Sequence, residues 1–128
     1  MPIITLYHNH KFTSDDQVKT FVSELSKACA KTIGKDESLF NINVIYNPYI
    51  IFGGKMDEPA YLMNILSIGI NIVPHADTPR WSAEFGKFIE EKLGIGSDRG
   101  YISFRDTGAD YIGFSGDTVT NHGLKASK

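Results

Sequence analysis

Three stretches of this 128-residue chain hold residues whose types and spacing could do chemistry: Pro2, Lys35 directly after Gly34, and Ser67-Ile68-Gly69. A small second residue permits removal of the initiator Met, so Pro2 is expected to become the N-terminus. Its nitrogen is then a free secondary amine. An ordinary α-amino group titrates near ~7.7–8. Ile3, Ile4 and Leu6 behind it are strand formers, and a strand entering a core would carry the amine into apolar surroundings. Burial and a nearby cation both lower its pKa, and an amine neutral at pH 7 is a usable general base. Taken alone, residue 2 also fits a Pro that tolerates the first position of a strand, where its missing N–H costs nothing. Lys35 has two readings as well. It can complement the macrodipole of the helix that Gly34 ends, or its ammonium can stand near Pro2, binding an anion and depressing the amine's pKa. The backbone N–H groups of Ile68 and Gly69 could hold a carboxylate or an enolate oxygen if that stretch pairs with the first strand.

The remaining candidates carry less. His8 and His10 would lie on one face of an extended chain without a third ligand, and are read as solvated loop residues. Gly53-Gly54 and Gly113–Gly116 lack the strand-to-helix context of phosphate loops. Ser67 has no nucleophile-elbow context. Arg105 and Asp106 read as a surface pair. The single Cys29 excludes an intramolecular disulfide and a Cys-x-x-Cys motif. A net charge of −2 leaves no electrostatic footprint for nucleic acid or an anionic membrane. No segment approaches the ~20 apolar residues of a membrane span. No signal peptide opens the chain, so a cytoplasmic protein is expected, with export by a signal-independent route left open. No cofactor or metal is called for.

The elements that must position these residues follow from periodicity. Residues 3–8 read as a strand. Ser14 and Gln17 form a capping box, with Asp15 and Asp16 in the first turn. Val18, Phe21, Val22, Leu25, Ala28, Cys29 and Ile33 make one helical face, ended by Gly34. Cys29 lies on that face as a small core residue. Leu39 to Ile45 alternates as a strand, with Phe40, Ile42 and Val44 on one side. Tyr49 to Phe52 is read as a short returning strand, and Gly53 to Pro59 as a loop. Ala60 to Ile68 is apolar at most positions and is expected to be buried on both faces. Residues 70–77 read as a loop, and Thr78-Pro79 as an N-cap with Pro at N1. Trp81, Phe85, Phe88, Ile89 and Leu93 give a second helical face, ended by Gly94. Tyr101 to Asp106 alternates as a strand, Tyr111 to Phe114 reads as a short one, and the polar residues 120–128 are expected to fray.

A repeat runs through this pattern. Gly34 and Gly94 are 60 positions apart, and Ile42-Asn43-Val44 matches Ile102-Ser103-Phe104 at the same offset of 60. Pro2 to His8 falls on Leu62 to Ile68 at that offset. Two β-α-β units side by side predict an α+β fold: a four-stranded mixed sheet with two antiparallel helices on one face. The other sheet face is left bare, which predicts burial by oligomerisation.

The chain resembles the macrophage migration inhibitory factor and D-dopachrome tautomerase family, within the tautomerase superfamily. The carriers are Pro2-Ile3-Ile4-Thr5, Ile33-Gly34-Lys35, Phe52-Gly53-Gly54 with Glu58-Pro59-Ala60, Ser67-Ile68-Gly69, Asp98-Arg99-Gly100-Tyr101-Ile102 with Phe104 and Asp106, and Ile112-Gly113-Phe114 with Asp117-Thr118-Val119. The resemblance covers roughly residues 2–119, and residues 1–119 are read as one domain, leaving 120–128 as a C-terminal extension. The resemblance implies a homotrimer with active sites at subunit boundaries. It implies Pro2 as the catalytic base and Lys35 as the substrate-binding cation. The Ile68 backbone would contact substrate, Tyr101 and Ser103 would come from the neighbouring subunit, and Ile112, Phe114 and Val119 would form an apolar wall. Leu39 stands where the best-known member has a phenol, Ser103 where it has an amide, and Leu66 where it has an imidazole. Ala60 and Met63 replace the two cysteines of its thiol-redox motif, and Lys55–Glu58 carries one extra residue. The implied function is a cofactor-free keto–enol tautomerase acting on a small aromatic α-keto acid or a dopachrome-like substrate. The alternative is a secreted cytokine-like ligand for a cell-surface receptor, with a vestigial pocket. A third reading keeps the fold but assigns hydrolysis or decarboxylation. It would need a further acid or Arg near Pro2, for which Arg105 and Asp106 are the candidates.

Overall fold

A computed structural model describes residues 2–69 and 77–126. The stretch 70–76, most of the expected 70–77 loop, lies outside the described residues. The chain runs β1 (Ile3–His8), α1 (Asp15–Ile33), β2 (Asn41–Tyr46), β3 (Tyr61–Leu66), α2 (Asp77–Leu93), β4 (Gly100–Arg105), β5 (Gly113–Phe114), β6 (Asp117–Thr118) and α3 (Val119–Ala126). The main sheet has order β2-β1-β3-β4. β1 is parallel to β2, β3 is parallel to β4, and β1 is antiparallel to β3. This is the predicted pair of β-α-β units.

Local chemistry sets the helix ends. Ser14 Oγ accepts the Gln17 N–H at 3.2 Å, while the Gln17 side chain reaches back to the Thr13 N–H at 3.0 Å, one residue earlier than a standard capping box. Gly34 adopts φ 78° and donates to the Ala30 carbonyl at 2.9 Å, a left-handed cap that a Cβ would disfavour. α2 begins at Asp77, so Thr78 is not its N-cap, and Pro79 sits in the first turn, where an N–H has no intrahelical partner.

Both helices press one face onto the sheet. Phe21, Leu25 and Cys29 of α1, and Trp81, Phe85, Ile89 and Leu93 of α2, close over Ile4, Leu6, Tyr61, Met63 and Ile65. Each large side chain so buried contributes about 1.5–3 kcal/mol. Burial pushes the Cys29 thiol up to about 12, which fits a core residue. The inward positions correct the repeat. Ile4, Leu6 and His8 correspond to Met63, Ile65 and Ser67, an offset of 59, not 60. A one-residue slip reverses every side chain of a strand, so the offset of 60 would have paired inward Ile4 with outward Asn64.

The outer sheet face is bare in the single chain, which corrects the expectation of double burial for 60–68: Leu62 is 39% exposed. One rung across all four strands is Ile45-Tyr7-Leu62-Tyr101, and the next is Asn43-Thr5-Asn64-Ser103. The face is therefore mixed, with an apolar row beside a polar one.

Other expectations shift with local hydrogen bonding. Leu39 is in a 3-10 turn, Glu37–Leu39, because Asp36 Oδ1 accepts the Ser38 N–H at 2.9 Å and closes a turn before the strand. Tyr49–Phe52 forms no strand: Asn47 Oδ1 captures the Tyr49 N–H at 2.9 Å, and only a Phe52–Lys55 bridge remains. Tyr111 ends a 3-10 turn, Ala109–Tyr111, and only Gly113–Phe114 is strand, paired with Asp117–Thr118. The expected frayed tail is instead helix α3 as far as Ala126.

Gly100 marks a close approach. A Cβ there would overlap the Tyr61 carbonyl and lie 2.6 Å from its ring carbons. Gly100→Ala is expected to destabilise by about 2–3 kcal/mol, read as a lower urea midpoint with an unchanged slope.

His8 is a correction of a different kind. It is in β1, only 1% exposed, with its ring edge-on to Phe12 and Phe21. Its Nδ1 accepts the His10 N–H at 3.1 Å, so neutral His8 carries its proton on Nε2. Burial, and secondarily His10, push its pKa down to about 4. The unfolded chain therefore binds this proton first. The stabilisation is complete above pH ~6.5, the unfolded value. It is lost as pH falls toward about 4, a change on the order of 3 kcal/mol. Urea unfolding of wild type and His8→Leu at pH 7 and pH 4.5 checks this: the variant's pH slope should be markedly flatter.

Candidate active site

The register that builds the sheet also places residue 2. Ile3 pairs with Asn41 in β2 and with Leu66 in β3, so one step earlier Pro2 lies between Phe40 and Ser67. The parity that buries Ile4 and Leu6 buries Pro2 fully. Its carbonyl accepts the Asn41 N–H at 3.0 Å, which fixes the strand entry. A cleft of about 260 Å³ opens beside it, with Leu39, Phe40, Ile112 and Phe114 among its walls. Four of the predicted site residues thus share one space: Pro2, Leu39, Ile112 and Phe114. Val119 stands behind this wall, its N–H donating to the Ile112 carbonyl at 2.9 Å.

Lys35 turns back from the end of α1 to the end of β3. Its Nζ donates to Ser67 Oγ at 2.8 Å and to the Ile68 carbonyl at 2.9 Å. It lines a second cavity, of about 240 Å³, with Ile33, Ser67, Ile68, Gly69, Asp77, Arg80 and Trp81, none of which lines the Pro2 cleft. Pro2 and Ser67 are cross-strand neighbours on the same buried face, so the ammonium is one side chain away from residue 2. An ammonium has three donors, and two are committed to Ser67 and Ile68. Burial pulls the Lys35 pKa below that of an ordinary lysine, and the Asp106 carboxylate opposes that shift. At Ile68 the group in use is the carbonyl, held by Lys35. The Gly69 N–H is already committed, donating to Asp106 Oδ2 at 2.8 Å.

Two predicted residues are elsewhere. Tyr101 pairs with Leu62, whereas Pro2 stands opposite Ser67, five positions along β3. At ~3.3 Å per residue that is roughly 16 Å. Tyr101 is 72% exposed and packs on Phe52 with ring centroids 5.3 Å apart. Ser103 Oγ donates to Asn64 Oδ1 at 2.7 Å on the outer sheet face. Neither can reach the Pro2 of its own chain, so either could serve this cleft only from a second copy.

Three parts of the chain take roles here that differ from those the sequence assigns them. Ser67 was set aside as a nucleophile, yet it is fully buried and accepts from Lys35. Its parity with Met63 and Ile65 signals the burial, and a buried hydroxyl needs a partner. Asp106 is not half of a surface pair with Arg105. It is half-buried, and its two oxygens accept the Gly69 and Gly108 N–H groups, each at 2.8 Å. An Asp two residues before a Gly is a readable turn signal. The third is α3, whose side chains fasten the hairpin that carries Phe114.

A larger depression, about 670 Å³, lies at the opposite end of the sheet between His10, Tyr49 and Glu58. Asn9 there holds its own loop, donating to the Glu58 carbonyl at 2.7 Å and accepting the Ala60 N–H at 2.9 Å. Among the described residues no cluster of three or more His, Cys, Asp or Glu is placed to hold a metal ion, and no helix is long and apolar enough to cross a membrane.

Comparison with known proteins converges on one group. A family model described as macrophage migration inhibitory factor (MIF) matches residues 1–120. A macrophage migration inhibitory factor homolog from Trichuris trichiura is 33% identical over 118 residues, covering 92% of this chain and 99% of that one. One from Brugia malayi is 30% identical over 118 residues, with 92% and 98% covered. Among solved structures, that of the Trichinella spiralis factor matches with a TM-score of 0.78 at 28% identity, covering 91% of this chain and 98% of that one.

Proposed function

Because the chain belongs to the macrophage migration inhibitory factor family, we propose that it is a cofactor-free keto–enol tautomerase of small aromatic α-keto acids, phenylpyruvate being the model substrate. The observation that carries this reading is the buried Pro2 lining a cleft walled by Leu39, Phe40, Ile112 and Phe114, with the Lys35 ammonium bonded to its cross-strand neighbour Ser67. With Met1 removed, the Pro2 amine takes the proton from C3 of the keto acid. The C–H electron pair becomes the C=C bond, and the carbonyl pair moves onto oxygen. The prolinium then returns a proton to that oxygen and releases the enol. Lys35, through its third donor, holds the substrate carboxylate and steadies the enolate charge. Leu39, Ile112 and Phe114 pack on the substrate ring, with Val119 backing that wall. In a homotrimer, Tyr101 and Ser103 of a neighbouring copy would complete the cleft. The bare outer sheet face supports such an assembly.

The test is phenylpyruvate tautomerisation followed from pH 4 to pH 10. An acid limb is expected below the ordinary α-amino range of ~7.7–8, since burial and Lys35 both favour the neutral amine. A protein that is inert across this range would defeat the reading. The names of its relatives favour a second one, a secreted cytokine-like ligand. Background turnover, together with receptor binding that survives substitution of Pro2, would select it.

A further inference from the structure

Helix α3, which runs past the end of the family match at residue 120, has a specific place. α3 packs onto the 109–118 segment through four side chains or backbone groups. Thr120 Oγ1 donates to Asp110 Oδ1 at 2.6 Å, and Asn121 Nδ2 donates to Asp117 Oδ1 at 2.8 Å. The Asn121 N–H reaches Thr118 Oγ1 at 3.2 Å. His122 Nε2 lies 2.6 Å from the Phe114 carbonyl oxygen, so it is the protonated nitrogen and donates to it. The His122 ring also stands edge-on to the Phe114 ring, with centroids 5.4 Å apart.

These contacts matter because of what they grip. β5 and β6 are two residues each, and a hairpin this short is not stable alone. Yet Ile112 and Phe114 form one wall of the Pro2 cleft, and Phe114 is half exposed toward it. A wall on so short a hairpin needs an external brace, and His122 binds Phe114 at both its backbone and its ring. We propose that helix α3 is the brace of the cleft's apolar wall, and that His122 is a positioning residue that sets selectivity for substrates bearing a ring. The inference rests on the Pro2 cleft being the reacting site. Nothing in it requires His122 to touch the reacting atoms. Its effect is on where the Phe114 ring sits, hence on binding of the substrate's ring and not on proton transfer.

The experiment compares wild type, His122→Ala and His122→Gln, each checked for fold by circular dichroism. The substrates are phenylpyruvate and the ring-free 2-oxobutanoate, the latter followed as C3 hydrogen–deuterium exchange by NMR. His122→Ala should raise KM for phenylpyruvate about threefold to tenfold, the range set by one ordinary hydrogen bond. Its kcat should stay within about twofold, with 2-oxobutanoate turnover little changed. His122→Gln, which keeps an N–H donor, should recover part of the loss. Equal losses on both substrates, or no loss on phenylpyruvate, would overturn the proposal. Amide exchange of residues 112–118 supplies a readout that needs no turnover. It should accelerate at least about tenfold in His122→Ala if the brace is real, and unchanged protection sinks the brace. If wild type turns over neither substrate while exchange still accelerates, the brace stands, and the tautomerase reading with its selectivity role falls.

Discussion

Pro2→Gly is expected to lower kcat for phenylpyruvate by about 10²–10⁴-fold, the usual contribution of a positioned general base. The variant keeps an N-terminal amine, so the loss would not come from deleting nitrogen. It comes from three changes at once. The secondary amine becomes primary, the ring that fixes φ is gone, and the side chain that fills the space between Phe40 and Ser67 disappears. The amine can then swing out of the cleft and into water, where its pKa returns toward the ordinary range and it is more often protonated at pH 7. Protein that retains Met1 is the sharper control. Its residue-2 nitrogen is an amide with no basic lone pair, so it should be as inactive as the variant while keeping the ring. Mass spectrometry on each preparation, alongside the assay, decides the matter. Full turnover by Met1-bearing protein would remove the base from the mechanism. The loss should not be one of folding: the sheet register continues from Ile3, and Asn41 bonds the residue-2 carbonyl, which Gly also has.

Much of this arrangement was legible in the sequence because the periodic signals are local. The two helical faces, the glycine stops and the four strands each come from residues within one element, and the duplication then dictates the parallel pairs. Legibility failed where one hydrogen bond decides between near-equal local conformations. Asp36 turns Leu39 into a 3-10 residue, and Asn47 ends the chain's chance of a strand at Tyr49. It failed again where partners are far apart in sequence. Nothing within a helical turn of Lys35 announces Ser67 or Asp106, 32 residues away in the first case. The Gly69 N–H looked free for substrate because its Asp106 acceptor is 37 residues downstream. His8 reads as exposed from its polar neighbours Asn9, His10 and Lys11, while its burial comes from Phe12 and Phe21 packing on its ring. Pro2, Leu39, Ile112 and Phe114 could be named as candidates and lie around one cleft, because chemistry narrows the choice of residue type more sharply than it narrows conformation.

Lys35→Met should cost about 10²–10³-fold in kcat/KM for phenylpyruvate, the scale of losing a charged donor at a developing oxyanion. Met preserves most of the stem's length and packing while deleting the charge. Two consequences separate this from general damage. The first concerns the acid limb. On the proposed mechanism the ammonium would lower the pKa of the Pro2 amine, so removing it should move the limb to higher pH. The second concerns the basic limb. Binding of an anionic substrate weakens as pH rises through the Lys35 pKa, which burial holds below that of an ordinary lysine against the pull of Asp106. Lys35→Met should lose that limb altogether. Asp106→Asn removes the opposing carboxylate while keeping an oxygen that can accept the Gly69 or Gly108 N–H, so its basic limb should move to lower pH than that of wild type. The groups that share the Lys35 cavity, Asp77 and Arg80, are unchanged in both variants, so they cannot account for a basic limb that is lost in one and lowered in the other. If Lys35→Met retained wild-type kcat/KM and both limbs, the cation would be no more than a tie between the end of α1 and the end of β3. The substrate carboxylate would then need another partner, and in the proposed homotrimer Tyr101 and Ser103 of a second copy would be the first to substitute.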